Sequence, residues 1–143
     1  MSIAVIVTGV DGSEGSTQAL EWVAGLAAQT GSKVIAVHTF EPLAHLGEQR
    51  PPYDFAAAEE LARSRLETEW MNPLATAGVD FESRLVHGAP FECLIDVADD
   101  VDADLIVVGA RGLGFLRGMA LGSTSNKLIH TSKRPVVVIP PRE

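Results

Sequence analysis

Apolar residues are grouped along this chain into short runs that alternate with stretches of helical spacing. The runs are rich in valine and isoleucine and show no strict alternation of apolar and polar positions. Such runs are typical of strands covered on both faces of a parallel sheet. The sequence predicts five strands: Ile3–Val10, Lys33–Phe40, Phe81–Val86, Leu105–Gly109 and Pro135–Ile139.

Helices are predicted between these strands. Their expected starts are Ser13 or Ser16, Asp54, Pro90 and the pair Gly122–Ser123. The second helix extends to Gly78, and Pro73 is expected to kink it or to end its regular part. Repetition of strand and helix over 143 residues predicts a single α/β domain, with a parallel sheet and helices on both faces.

The most distinctive polar pattern follows the fourth predicted strand. Gly109 ends this strand, Gly112 comes next, and Gly122 follows after nine further residues together with Ser123 and Thr124. Glycine lets the backbone approach a ligand closely, and the N–H groups at the start of a helix favour an anion. The joint spacing therefore predicts two sides of one phosphate-binding site.

The place of this site in the fold depends on the strand order. Ligands of open α/β sheets bind beyond the carboxyl ends of the strands, where the strand order reverses. The order 3-2-1-4-5 brings Asp11 beside Gly109, whereas the order 2-1-3-4-5 brings Asp11 beside His87–Gly88. The glycines and hydroxyl residues after the fourth strand favour the first order.

Asp11 has two interpretations. At the reversal point its carboxylate is expected to accept hydrogen bonds from a ribose or to help hold a metal ion. The alternative is an Asp-Gly turn in which Asp11 caps the next helix. Local sequence alone favours neither, but the place of Asp11 at the reversal point favours ligand binding.

Charge and motifs exclude several other functions. The net charge of −8 argues against a nucleic-acid-binding face, which needs clustered lysine and arginine. Arg111 and Arg117 are the candidate cations near a phosphate. No apolar stretch approaches the roughly 20 residues of a membrane span, and no signal peptide is recognisable, so we expect a cytoplasmic protein. The chain has neither a Gly-Lys-Ser/Thr loop nor the histidine spacing of a metal site.

Three segments together carry a family resemblance. They read VIVTGVDGSEGS near the start, HGAP to ADLIVVGARG in the middle, and GSTSNKLIHTSKRPVVVIPP near the end. The chain resembles a universal stress protein of the ATP-binding kind over essentially all of its 143 residues. The nucleotide motif of that family, G-x2-G-x9-G-S/T, is matched without a gap by Gly109, Gly112, Gly122 and Ser123.

The resemblance implies a Rossmann-like fold, an open five-stranded parallel sheet in the order 3-2-1-4-5. It also implies ATP as the ligand, accompanied by Mg²⁺. Asp11 would contact the ribose and phosphates, and Val10 and Thr39 would offer backbone groups. Ser123 and Thr124 would hold phosphates beside the glycines.

The last strand has a consequence for assembly. In a monomer, Val136 to Ile139 would form an exposed apolar edge, and such edges invite pairing. Antiparallel pairing of two copies gives a two-fold dimer, as the resemblance also implies. We therefore expect a homodimer with a regulatory role, in which occupancy by the adenine nucleotide changes the association of the dimer or its interaction with a partner. The alternative is a slow ATPase or an autophosphorylating enzyme, for which the sequence identifies no catalytic base.

Overall fold

The computed structural model describes residues 1–41, 52–112 and 121–142. The strands are β1 (Val5–Gly9), β2 (Lys33–Phe40), β3 (Phe81–His87), β4 (Leu105–Gly109) and β5 (Val136–Ile139). The helices are α1 (Glu14–Thr30), α2 (Phe55–Glu67), α3 (Asn72–Ala77), α4 (Pro90–Asp100) and α5 (Ser123–Thr131), and a 3-10 turn covers Glu69–Met71.

The strands form one sheet in the order β3-β2-β1-β4-β5, and every neighbouring pair is parallel. The predicted order 3-2-1-4-5 is thus confirmed, and the alternative order 2-1-3-4-5 is wrong. Strand β1 lies at the centre, where Thr8 is the register partner of both Ala36 and Val107. The order reverses between β1 and β4, so the carboxyl ends of these strands border the crevice in which ligands of such sheets bind.

Two apolar layers cover the two faces of the sheet. On one face, α1 and α3 pack their side chains, among them Leu20 and Leu74, against Ile6 of β1. On the other, Leu94 of α4 and Leu128 of α5 pack against a cluster that includes Val7. Burial on both faces explains why the strands read as continuous apolar runs. Among the described residues, no helix combines the length and apolarity needed to cross a bilayer.

The helix ends follow the chemistry of their sequence. Ser13, and not Ser16, caps α1, because its Oγ accepts a hydrogen bond from the Ser16 N–H at 3.2 Å. The stretch predicted as one kinked helix is divided: α2 ends at Glu67, the 3-10 turn follows, and α3 begins anew. Pro73 lies in the first turn of α3, the position where its missing N–H costs least.

Asp104 fastens the start of β1. Its carboxylate accepts the backbone N–H groups of Ala4 at 2.7 Å and Val5 at 3.0 Å. These hydrogen bonds favour the charged form, and with the help of nearby Arg134 they lower the pKa of Asp104. A single side chain just before β4 therefore holds the first residues of the central strand.

Candidate functional site

A cleft of about 500 Å³ lies at the carboxyl ends of β1 and β4, at the reversal point of the sheet. Its volume falls within the range of small-molecule sites. The structure brings all nine sequence-predicted site residues to its wall: Val10, Asp11, Thr39, Gly109, Arg111, Gly112, Gly122, Ser123 and Thr124. Arg117 lies outside the described residues.

Asp11 organises the turn between β1 and α1. Its Oδ1 accepts the Ser13 N–H at 2.9 Å and the Ser13 hydroxyl at 2.5 Å. The Asp11 N–H in turn donates to the Ser16 hydroxyl at 3.2 Å. Asp11 therefore supports the capping residue and does not itself cap the helix. Because Asp11 and Ser13 both line the cleft, the turn and the site use the same side chains.

Gly109 is required first of all by the packing of the protein itself. A Cβ at this position would lie 2.7 Å from the carbonyl oxygen of Gly15 and 2.8 Å from its carbon. Gly15 is similarly confined, since its own Cβ would lie 2.4 Å from the Arg111 carbonyl oxygen. The two glycines let the first turn of α1 approach the end of β4. The motif predicts ligand contact for Gly109 and gives no sign of this helix–strand packing, which depends on Gly15 in another element.

Gly112 and Gly122 differ in what surrounds them. A Cβ on Gly112 would lie 2.7 Å from Oδ2 of Asp11, so glycine leaves room for that carboxylate against the loop. A Cβ on Gly122 would meet its nearest atom, the Ala110 carbonyl oxygen, at 3.4 Å, close to an ordinary contact. Gly122 thus faces the cleft, and the described residues leave room for a Cβ at this position.

The two parts of the glycine motif are joined through one carbonyl group. The Ala110 oxygen accepts the Gly122 N–H at 2.6 Å and the buried Ser125 hydroxyl at 2.9 Å. The N–H of Ala110 donates to the Ile139 oxygen of β5 at 2.9 Å. This peptide therefore holds the start of α5 beside the end of β4. Ser125 escaped the sequence analysis because its role depends on a residue 15 positions away.

The start of α5 opens into the cleft. Gly122 is its N-cap in an extended conformation (φ −76°), and no side chain caps the helix in the described part of the chain. Ser123 and Thr124 follow in the first turn and line the cleft. Backbone N–H groups at this position are not used within the helix, and they carry the positive end of its dipole. The arrangement favours an anionic group.

His38 forms part of the opposite wall. The residue is 8% exposed, and its Nδ1 lies 2.7 Å from the Val10 carbonyl oxygen. Because a carbonyl accepts, Nδ1 carries the proton. Neighbouring Thr39 lies at the same end of β2. His38 therefore belongs both to the buried interior and to the wall of the cleft.

Few groups with catalytic chemistry line the cleft in the described segments. Asp11 and Glu41 are the carboxylates that line it within the described segments. No cluster of three or more His, Cys, Asp or Glu able to hold a metal occurs among the residues described. Cys93 lies on α4, and burial together with Asp96, Glu92 and Glu41 raises the pKa of its thiol, which disfavours the nucleophilic thiolate.

Comparisons with known proteins agree with this geometry. The sequence profile of the universal stress protein family matches residues 3–140. A universal stress protein of Thermus aquaticus is 33% identical over 136 residues, which cover 94% of this chain and 96% of the relative. A universal stress protein of Mycobacterium bovis is 32% identical over 139 residues, and the chain spans 45% of the length of that relative.

Solved structures give the same result. A universal stress protein in complex with cAMP shares 30% identity and a TM-score of 0.76, with 98% of each chain covered. The Archaeoglobus fulgidus universal stress protein in complex with dAMP shares 26% identity and a TM-score of 0.70, over 97% of this chain and 99% of that one. Because the family profile matches residues 3–140 and the solved relatives cover nearly the whole chain, this chain belongs to the universal stress protein family.

Proposed function

We propose that the cleft binds an adenine nucleotide, and specifically ATP. The observation that carries the proposal is the open start of α5, which faces a glycine turn at the reversal point of the sheet. Unused N–H groups and the helix dipole hold phosphate there without clustered basic residues. This is how a protein of net charge −8 is able to attract an anionic ligand.

The relatives support an adenine nucleotide as the class of ligand. One binds cAMP and another binds dAMP. In our assignment, Ser123 and Thr124 hold the phosphates. Asp11 contacts the ribose with the backbone of Val10 beside it, and the backbone of Thr39 receives the base. The position of each of these residues on the cleft wall supports its role.

Mg²⁺ fits this assignment as a companion of the phosphates. Mg²⁺ is commonly held by one or two carboxylates, with the remaining ligands supplied by phosphate oxygens and water. The described cleft provides Asp11 and Glu41 for this purpose but no cluster of three protein ligands. Bound Mg²⁺ would neutralise phosphate charge. We therefore assign its binding to the nucleotide complex and not to the free protein.

Gly122→Ala tests the nucleotide assignment. The added methyl group makes nearly ordinary contacts within the protein but lies where the start of α5 faces the ligand. We expect at least about a tenfold loss of ATP affinity in calorimetry, equal to ~1.4 kcal/mol. Gly25→Ala is the matched control, because a Cβ there meets nothing within 4 Å. Unchanged affinity in Gly122→Ala, or no heat from the wild-type protein with ATP, ADP, AMP or cAMP, would refute the assignment.

We further propose a regulatory role for a homodimer that forms through β5 in the cytoplasm. The odd-numbered residues along β5 direct their backbone groups toward β4. The Pro135 oxygen accepts the Ile106 N–H of β4, and the Ile139 oxygen accepts the Ala110 N–H just after β4. The backbone groups of Val136 and Val138 therefore face the open edge. An apolar, unpaired edge is what a second copy would cover.

Val138→Pro tests the dimer. Proline removes the outward N–H of β5 and leaves the bonds to β4 in place. Val138→Ala is its control, because it shortens the side chain and keeps the N–H. In sedimentation analysis at micromolar concentration, we expect dimers for the wild type and the alanine variant, and monomers for the proline variant. A wild-type monomer would refute the dimer, and a dimeric proline variant would move the interface elsewhere.

An enzymatic function would require a general base, and the carboxylates of the described cleft, Asp11 and Glu41, are already assigned here to the nucleotide and its Mg²⁺. Steady release of phosphate over many turnovers, lost in Gly122→Ala, would support a slow ATPase. Labelling from γ-phosphate that disappears in Ser123→Ala or Thr124→Ala would support autophosphorylation. We expect neither, because binding alone accounts for the groups at the cleft.

A further inference from the structure

An indole ring lies directly beneath the turn that carries Asp11. A Cβ on Gly12 would lie 2.6 Å from Cζ2 of Trp70, 2.8 Å from Cε2 and 3.1 Å from Nε1. Gly12 itself has φ +79°, in the left-handed region that favours glycine. The ring therefore rests against the backbone of the most adaptable residue of the turn. Trp70 does not line the cleft in the described part of the chain.

His38 connects the same ring to the other end of the turn. Its imidazole packs edge-on to the Trp70 indole, with ring centroids 5.0 Å apart at 68°. The Nδ1–H of His38 donates to the Val10 carbonyl oxygen. Val10 precedes Asp11 and Gly12 follows it, so the two rings contact the backbone on both sides of the carboxylate residue.

We propose that Trp70 and His38 are positioning residues of the nucleotide cleft, which act through Gly12 and the Val10 carbonyl to hold the Asp11 turn. The proposal rests on the proposed nucleotide binding and extends it to a residue outside the cleft wall. A turn with glycine at its centre has many accessible conformations when it lacks support. The rings restrict it before the ligand arrives, and a preorganised site binds more tightly because less motion is lost on binding.

Trp70→Leu tests the first contact. Leucine keeps an apolar side chain but removes the ring that touches Gly12. We expect ATP affinity to fall about 2- to 30-fold, the usual range for residues that act on a site without touching the ligand. Exposed Trp22 supplies the control, so Trp22→Phe is expected to bind like the wild type. Titrations are run well below the melting temperature of each variant. A lower melting temperature with wild-type affinity would mean that Trp70 is only structural.

A pair of substitutions at His38 tests the second contact. Asparagine carries an amide N–H at the same distance from the backbone as Nδ1, so His38→Asn retains a donor for the Val10 carbonyl. His38→Leu has a similar size and no donor. We expect His38→Asn to bind ATP several-fold more tightly than His38→Leu. Equal affinities for the two variants would overturn the role of this hydrogen bond.

Tryptophan emission provides an independent readout. The chain contains two tryptophans, so Trp22→Phe leaves Trp70 as the only emitter. We expect ATP to change its emission along a saturable curve with the Kd obtained by calorimetry. Constant emission despite calorimetric binding would overturn the positioning role alone. No calorimetric binding by the wild-type protein would overturn the proposed function, and this inference with it.

Discussion

The substitution Gly109→Ala separates the packing role of this glycine from ligand contact. Its Cβ would stand 2.7 Å from the Gly15 carbonyl oxygen and 2.8 Å from the Gly15 carbon. Non-bonded heavy atoms are most stable at about 3.5–4.0 Å. The start of α1 or the end of β4 must therefore move by several tenths of an ångström. Both neighbours are backbone, so no side chain is able to rotate away.

The expected cost follows from overpacking. An added methylene in a well-packed interior typically costs about 1–3 kcal/mol. For a chain of this length, each kcal/mol corresponds to about 3 °C in the melting temperature, so we expect a decrease of about 3–9 °C. The effect should appear without any nucleotide, because the clash involves only the protein. ATP binding should also weaken, since the displaced segments form the cleft.

The assay is thermal unfolding of the nucleotide-free protein, monitored by circular dichroism. Gly25→Ala is the matched control on α1, where a Cβ meets nothing within 4 Å. Replacing glycine inside a helix stabilises by about 0.5–1 kcal/mol, so this variant should melt slightly above the wild type. If Gly109→Ala melts like the wild type while losing ATP affinity, the packing argument is wrong and ligand contact alone explains the glycine.

Three further predictions concern single polar groups. Asp11→Ala should weaken ATP binding about fivefold in calorimetry, less than Gly122→Ala, and should also lower the melting temperature, because Asp11 accepts both Ser13 hydrogen bonds of the turn. Asp104→Asn should have a lower free energy of unfolding than the wild type at pH 7. The difference between the two free energies should shrink as the pH is lowered below about 4. The sign follows from the lowered pKa of Asp104, whose contribution is present above the unfolded-state pKa and disappears as the carboxylate is protonated. Cys93 should react more slowly than free cysteine with iodoacetamide at pH 7, because its raised pKa leaves little thiolate; an equal rate would contradict the effect of burial and the neighbouring carboxylates.

The fold was largely predictable because its strands are buried on both faces. The range Lys33–Phe40 and the range Leu105–Gly109 agree with the structure residue for residue, and no end of the other strands differs by more than two residues. The clearest difference is the helix predicted from Asp54 to Gly78, which is divided by a 3-10 turn. Apolar residues continue through that turn at helical spacing, so the pattern gives no sign of the break before Pro73.

The cleft was predictable only as far as local motifs describe it. The glycine and hydroxyl spacing, with Asp11 at the strand end, indicated one edge of the sheet, and the family resemblance added Val10 and Thr39. The structure has all nine residues at that edge. Their individual contacts with a nucleotide stay predictions. Gly15 and Trp70 carried no signal, because each matters through a residue distant in sequence or on another element. A glycine inside a helix and an aromatic residue near a helix end are ordinary until their neighbours are known.

The Ala110 peptide links the cleft to the order in which the chain is synthesised. Its N–H needs Ile139, and its oxygen needs Gly122 and Ser125. Strand β4 follows its neighbour β1 by about a hundred residues, and β5 comes later still. During translation, the cleft is therefore assembled only after β5 has emerged and docked. We expect nascent chains that end before β5 to bind no nucleotide. Nucleotide binding would then report that the sheet is complete through β5.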